Sequence, residues 1–213
     1  MPALIVELDA LFLGGFALAS EVLSERLEKY GIPDNDPYRF VRKIYGKPFT
    51  SALKALLPET QDVAHVERRL AATYTALLQQ NALAAVDALK ANLRPLVKSG
   101  VSLAVITRLR SDVIDELFDS IATEVITVTN PAPIAVGVAP EIFQTALVAL
   151  GVPVCECIAL VACGVSVRSA VRVGLRACVV PDPMVTFENC AGADLVVDQL
   201  GKTLVTKLKA RLQ

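Results

Sequence analysis

Tryptophan is absent from this 213-residue chain, histidine occurs once and methionine twice. Aromatic residues make up only 5% of it, and no basic run carries interleaved aromatics, the pattern that neutralises phosphates and stacks bases. Neither sign of charge is in excess: 21 Lys and Arg against 22 Asp and Glu leave a net charge of −1. Such a chain has no electrostatic footprint for nucleic acid or for an anionic membrane surface. Long apolar runs are missing too. The longest uncharged stretch, Val125 to Pro140, is broken by three prolines and an Asn and falls short of the ~20 apolar residues of a spanning helix. No basic stretch precedes the first apolar run, and Glu7 and Asp9 stand where a signal core would lie. The expectation is a soluble protein of a reducing, cytoplasmic compartment, with no nucleic-acid and no membrane partner.

What the chain does have is apolar residues, 54% of the total. That excludes disorder and suffices for one sizeable core, or a core with a smaller insertion. The five cysteines, Cys155, Cys157, Cys163, Cys178 and Cys190, are odd in number and lie on or beside apolar runs. They read as small buried hydrophobes rather than a disulfide framework. Cys155-Glu-Cys157 lacks the second ligand pair that zinc needs.

Short β-branched runs alternate with segments of helical period. Strands are expected at Ala3–Glu7, Val101–Thr107, Val125–Val128, Cys157–Val161, Arg176–Val180 and Asp194–Val197. Their near-continuous hydrophobicity suits strands buried on both faces of a parallel sheet. Helices are expected over Val86–Ser99, Ser111–Ser120, Ile142–Leu150 and Val167–Val173, three of them stopped by Gly100, Gly151 and Gly174. The alternation implies an α/β fold with right-handed crossovers. From Phe16 to about Ala85 no strand appears. Ala19, Leu23, Leu27 and Tyr30 share one helical face, stopped at Gly31 and Pro33, and Tyr38–Tyr45, Thr50–Leu57 and Val63–Gln80 follow as helices. This reads as a separate small helical domain, residues 16–85, inserted into a core of 1–15 and 86–213. Phe16 and Leu83–Val86 are the crossing points.

The segment richest in chemistry is Ala3 to Leu13. Leu4-Ile5-Val6 leads into Glu7 and Asp9, and residues i and i+2 of a strand share a face. Two carboxylates side by side suit a nucleophile beside a proton donor; the plainer reading is a buried strand entering a polar loop. Thr107-Arg108-Leu-Arg110 ends the second strand, where α/β sheets bind ligands. Arg108 there suits phosphate or carboxylate, while solvated arginines at a helix start are the commoner arrangement. Cys163 to Arg168 is one residue short of a cysteine-phosphatase loop, His65 has no nucleophile partner, and Gly14-Gly15 lacks the glycine spacing of a dinucleotide loop.

Taken together, these segments resemble the haloacid dehalogenase superfamily, in particular its phosphoglycolate phosphatase and β-phosphoglucomutase branch. The likeness runs through Gly46-Lys-Pro-Phe-Thr-Ser-Ala-Leu53, Ser99 to Thr107, Ala139-Pro-Glu-Ile-Phe143 with Leu150-Gly-Val-Pro153, and Glu156 to Pro183. It implies a three-layer α/β core with a helical cap above the carboxyl ends of the strands. It puts Glu7 at the nucleophile position, Asp9 at the general acid-base position and Thr107 at the phosphate hydroxyl, with Arg108 beside it. Three positions depart from the pattern. Glu7 replaces an Asp, and its extra methylene moves the oxygens by roughly 1.5 Å, where about 1 Å can cost ~100-fold in rate. Gly137 stands at the lysine position. Val161 and Ala162 stand where acids hold Mg²⁺, and Ser166 where some relatives carry another Asp. The resemblance therefore implies a fold kept and a magnesium-dependent phosphoryl transfer lost: a binding or regulatory protein for a phosphorylated small molecule or a protein partner, with no cofactor. The other implication is a working phosphatase that uses Glu7, Asp9 and Mg²⁺. Arg39, Arg42 and Lys47 are the cap cations expected to face the cleft.

Overall fold

The computed structural model describes residues 1–30, 32 and 38–212, with Arg39 and Phe40 as backbone alone. Six strands form one sheet: β1 (Ala3–Glu7), β2 (Ser102–Thr107), β3 (Ile126–Thr129), β4 (Cys157–Val161), β5 (Arg176–Val179) and β6 (Leu195–Val196). Their order is β3-β2-β1-β4-β5-β6, and every neighbouring pair is parallel. β1 is fully buried. Leu4 and Val6 join the core on one face of the sheet, Ala3 and Ile5 that on the other. The six expected strands are therefore all present, with no end moved by more than one residue.

Eleven α-helices are described: α1 (Leu8–Phe12), α2 (Gly15–Glu28), α3 (Arg39–Ile44), α4 (Phe49–Lys54), α5 (Val63–Ala82), α6 (Val86–Asn92), α7 (Arg94–Val97), α8 (Ser111–Phe118), α9 (Pro140–Leu150), α10 (Gly164–Arg172) and α11 (Lys202–Leu212). Helices α9 and α10 cover one face of the sheet, and α2 and α5 to α7 contribute to the core on the other. Helix α5 buries Val66, Leu70, Tyr74, Leu78 and Ala82, one every fourth residue, which is the stripe of a helix packed along one side. The Asp62 side chain caps it by accepting the His65 N–H at 3.1 Å, and the His65 side chain is exposed. The expected stop at Gly31 and Pro33 lies outside the described residues.

Three local readings differ from the sequence pattern. The helix expected over Val86–Ser99 breaks at Leu93, because Pro95 lacks the N–H that a continuous helix needs and its ring crowds the preceding turn. The stretch after Glu7 is the helix α1 rather than a loop. Helix α11 was not expected, although Leu204, Leu208 and Leu212 repeat every fourth residue and are buried.

The order of strands positions the site. From β1 the chain passes to β2 and β3 on one side, then crosses to β4, β5 and β6 on the other. The carboxyl end of β1 is thus the topological switch point, where open α/β sheets leave a crevice. The helices that follow β1 are not loosely tethered. Phe16, Leu23, Leu70 and Tyr74 belong to the same apolar cluster as Val105 and Leu160 of the sheet, and the Phe16 ring lies 6.3 Å from that of Tyr45. One shared core predicts one cooperative urea transition, with circular dichroism and tyrosine fluorescence superimposed. Phe16→Ala is expected to lower its free energy by about 3–5 kcal/mol with an unchanged slope. Two separated transitions would contradict this.

Candidate functional site

Strand β1 ends at Glu7 with φ −76° and ψ 83°, and the chain turns helical at Leu8. Strand alternation stops there, so Glu7 and Asp9 do not stand side by side. The Glu7 carboxylate turns towards β4 and accepts the Ala162 N–H at 3.1 Å. The Asp9 carboxylate turns towards β2. Its Oδ1 accepts the Thr107 hydroxyl at 2.5 Å, and its Oδ2 accepts the Arg108 backbone N–H at 3.1 Å and Nη1 at 2.8 Å. Both acids and Thr107 are buried, with 5%, 2% and 0% of their surface exposed.

Arg108 departs most from the arrangement that its residue type favours. Its side chain is 6% exposed, not solvated. Besides Asp9, its guanidinium donates from Nε to the Ala132 carbonyl and from Nη2 to that of Ile134, each at 2.5 Å. Its Cζ lies 5.4 Å from the centre of the Tyr74 ring. The planar fork is thus used on three sides, as suits a guanidinium in a buried pair. The Thr107 hydroxyl is likewise committed, donating to Asp9 and accepting the Leu109 N–H at 3.0 Å. Arg110 is the solvated arginine, paired with Asp112 at the surface.

Glu7 makes no ion pair among the described residues. Burial pushes its carboxyl up to about 7, against the pull of the Ala162 amide, the Ser166 hydroxyl and the Arg108 charge, and the charge of Asp9 adds to the rise. Around it the site is apolar or thiol. Val161 and Ala162 are buried, and burial pushes the Cys163 thiol up to about 12. The Cys163 sulfur lies 3.2 Å from Ser166 Oγ, which accepts the Val138 N–H at 3.0 Å. Arg168 pairs with Glu188 at 3.2 Å.

Gly137 has φ +91°, and a Cβ there would stand 2.8 Å from Val165 Cγ1 and 2.9 Å from Val165 Cβ. The position therefore resists any side chain on two grounds, backbone conformation and the space that Val165 fills. Magnesium wants oxygen ligands in a near-octahedral array. Val161 and Ala162 offer no side-chain oxygen, and the Asp9 carboxylate is already consumed by Thr107 and Arg108. Among the described residues no three His, Cys, Asp or Glu side chains converge to hold a metal. The residues here do not fit a magnesium ion.

Two participants gave no signal of their role in the sequence. Tyr74 reads as one more member of the apolar stripe of α5. In the fold its ring lies against Arg108 and its hydroxyl is buried. Tyr45 accepts the Val165 N–H at 3.0 Å, joining the turn after α3 to the start of α10. Of the expected cleft cations, Lys47 lines a cavity beside the loop 130–139. Arg42 instead lies over the Tyr38 and Phe187 rings, at 5.9 and 5.6 Å. The Arg39 side chain lies outside the described residues.

No family model matches the chain, and no curated protein matches it in sequence. Solved structures do. CbbY from Rhodobacter sphaeroides, a mutant in complex with xylulose-1,5-bisphosphate, is 19% identical over 95% of this chain and 96% of its own, with a TM-score of 0.64. The β-phosphoglucomutase of Clostridium difficile is 16% identical over 100% and 97%, with a TM-score of 0.68. A hydrolase from Pseudomonas syringae is 18% identical over 99% of each chain, with a TM-score of 0.67.

The chain has the haloacid dehalogenase-like fold.

At these identities the likeness is one of architecture, and function rests on the site itself. Two measurements check its electrostatics. Arg108→Met leaves the Asp9 charge buried and unpaired, and is expected to cost about 3–5 kcal/mol of stability. Asp9→Asn/Arg108→Met should lose less than the sum of the single variants by about 0.5–3 kcal/mol; strict additivity would contradict the ion pair. The second concerns pH. With a folded pKa of about 7 above the unfolded 4.5, the contribution of a protonated Glu7 is full below about 4.5 and is lost as pH rises through about 7. Between about pH 5 and pH 8, Glu7→Gln should therefore gain about 2 kcal/mol on the parent in urea titrations. Parallel profiles would contradict it.

Proposed function

We propose that this chain is a haloacid dehalogenase-fold protein that binds or regulates rather than transfers phosphate, its magnesium-dependent hydrolase chemistry lost. In this reading Glu7 and Asp9 are vestiges of the nucleophile and the general acid-base, Gly137 replaces the lysine, and Val161 and Ala162 replace the metal ligands. Residues 16–85 are the helical cap, and residues 1–15 with 86–213 are the core. The observation that carries the reading is the Asp9–Arg108 pair. An acid-base group must be free to give and take a proton at the substrate, and this carboxylate is held by three donors and closed in by Tyr74. A phosphate arriving there would find the Thr107 hydroxyl committed to Asp9 and each Arg108 guanidinium nitrogen already donating once, and it would face the carboxyl of Glu7. The Val165 side chain against Gly137 supports the same reading, because it leaves no room for a catalytic cation.

A second reading has its own observation. Both carboxyls lie at the switch point of the sheet, and the group with the raised pKa, Glu7, makes no ion pair among the described residues. A phosphatase attacking through Glu7 would need Arg108 to leave Asp9 during turnover. That places a broken buried ion pair, a cost of several kcal/mol, on the reaction path.

The ligand in the first reading is a phosphorylated small molecule or a protein partner. A compartment that keeps thiols reduced agrees with five unpaired cysteines, and no helix among the described residues is long and apolar enough to cross a membrane. The deciding assay is phosphate release from p-nitrophenyl phosphate and a panel of sugar phosphates, with and without magnesium. The expected outcome is a rate indistinguishable from that of Glu7→Gln/Asp9→Asn, unchanged by the metal. Magnesium-stimulated turnover abolished by Glu7→Gln would establish the second reading.

A further inference from the structure

Beside the filled acidic centre lies a cavity of about 550 Å³, within the size range of small-molecule sites. The turn at Gly46 and Lys47 forms one wall, and the loop 130–139 with the first turns of α9 and α10 forms the others. Its inner surface is largely apolar, from Pro131, Val136, Val138, Ile142 and Val165. Such a lining removes an apolar body from water at roughly 25 cal/mol per Å².

The charged groups sit at its rim. Helix α10 places Val165, Arg168, Ser169 and Arg172 at i, i+3, i+4 and i+7, along one face. That face lines a second groove which shares Gly46, Pro140, Val165 and Ser169 with the cavity. Arg168 is paired with Glu188. Lys47 and Arg172 are exposed and take part in no ion pair among the described residues. The one acid in the cavity wall is Glu141, at the start of α9. Deeper in, no cation is available, because Arg108 spends its fork on Asp9, Ala132 and Ile134. An anion attracted to this cleft therefore stops at the rim.

We propose that the cavity binds a small organic monoanion with an apolar body, a medium-chain or aromatic carboxylate. Its body packs on Val136, Ile142 and Val165, and its charge lies between Lys47 and Arg172. This rests on the reading above in that Arg108 fills the acidic centre, and it replaces the phosphorylated small molecule named there with a monoanion on the charge count at this rim. Two free cations against one acid set the charge: a monoanion is matched, a cation is repelled, and a bare inorganic ion gains nothing from the apolar wall.

The probes are octanoate, octyl phosphate, octylamine and inorganic phosphate, titrated into the full chain by calorimetry, with phosphate release from octyl phosphate followed in parallel. Octanoate is expected to bind saturably, at least about tenfold more tightly than octylamine or inorganic phosphate. Lys47→Ala/Arg172→Ala should weaken it about tenfold, the worth of ~1.4 kcal/mol, while both positions, being exposed, leave the melting temperature unchanged. No saturable octanoate binding overturns the proposal, as does equal binding of octylamine or an unaffected double variant. Octyl phosphate binding tenfold more tightly than octanoate overturns the choice of a monoanion. Magnesium-dependent hydrolysis of octyl phosphate sinks the inactive reading instead, whereas failure to bind octanoate leaves that reading standing.

Discussion

The carboxylate of Asp9 and the guanidinium of Arg108 hold the centre of this molecule together. Two charges taken out of water cost several kcal/mol each and are tolerated only with close geometry and their remaining donors satisfied. Here each nitrogen of the guanidinium donates, two of them to the carbonyls of Ala132 and Ile134. The pair therefore fixes the end of β2, the loop after β3 and the start of α1 against one another. The second acid is balanced differently. Glu7 makes no ion pair among the described residues, and burial favours its protonated form. Between an internal cation and a retained proton, the centre reaches near-neutrality with groups of its own chain.

That balance also sets what the helices above the sheet can do. Tyr74 lies on Arg108, Tyr45 accepts the amide of Val165, and Asn81 Nδ2 donates to the Leu13 carbonyl at 3.1 Å. The first two contacts join the helices between β1 and β2 to the segments that follow β2 and β4, and the third ties α5 to the turn before α2, over a common apolar core. A lid that opens must expose such contacts to water on every cycle. In this chain the exposure would include one partner of a buried ion pair. The open space is displaced to the rim, between the Gly46–Lys47 turn and α10, where the side chains are apolar or free.

Much of this was legible in the residues. The six strands declare themselves through β-branched runs because burial on both faces demands continuous hydrophobicity. The residue types of the centre were legible too: Glu7, Asp9, Thr107, Arg108, Val161 and Ala162 lie at strand ends or just beyond, and Gly137 in the loop before α9. What those side chains do was not. The step from strand to helix at Leu8 sends Glu7 and Asp9 to different neighbours, and period-2 reasoning has no means of anticipating it. Arginine is usually exposed, so nothing in the local sequence says that Arg108 turns inward. The carbonyls that receive it come from residues 132 and 134, more than twenty positions away.

Sequence by itself determined the layered α/β architecture, the place of most of its helices though not of α1 and α11 or of the break at Leu93, and the absence of side-chain oxygens at Val161 and Ala162. These depend on periodicity and on residue chemistry, which are local properties. Tertiary structure alone decided that Arg108 neutralises Asp9, that Val165 occupies the space beside Gly137, and that Tyr74 closes the centre from above. Each of those is a contact between segments far apart in the chain. Its energy comes from desolvation and packing, which exist only once the segments have met.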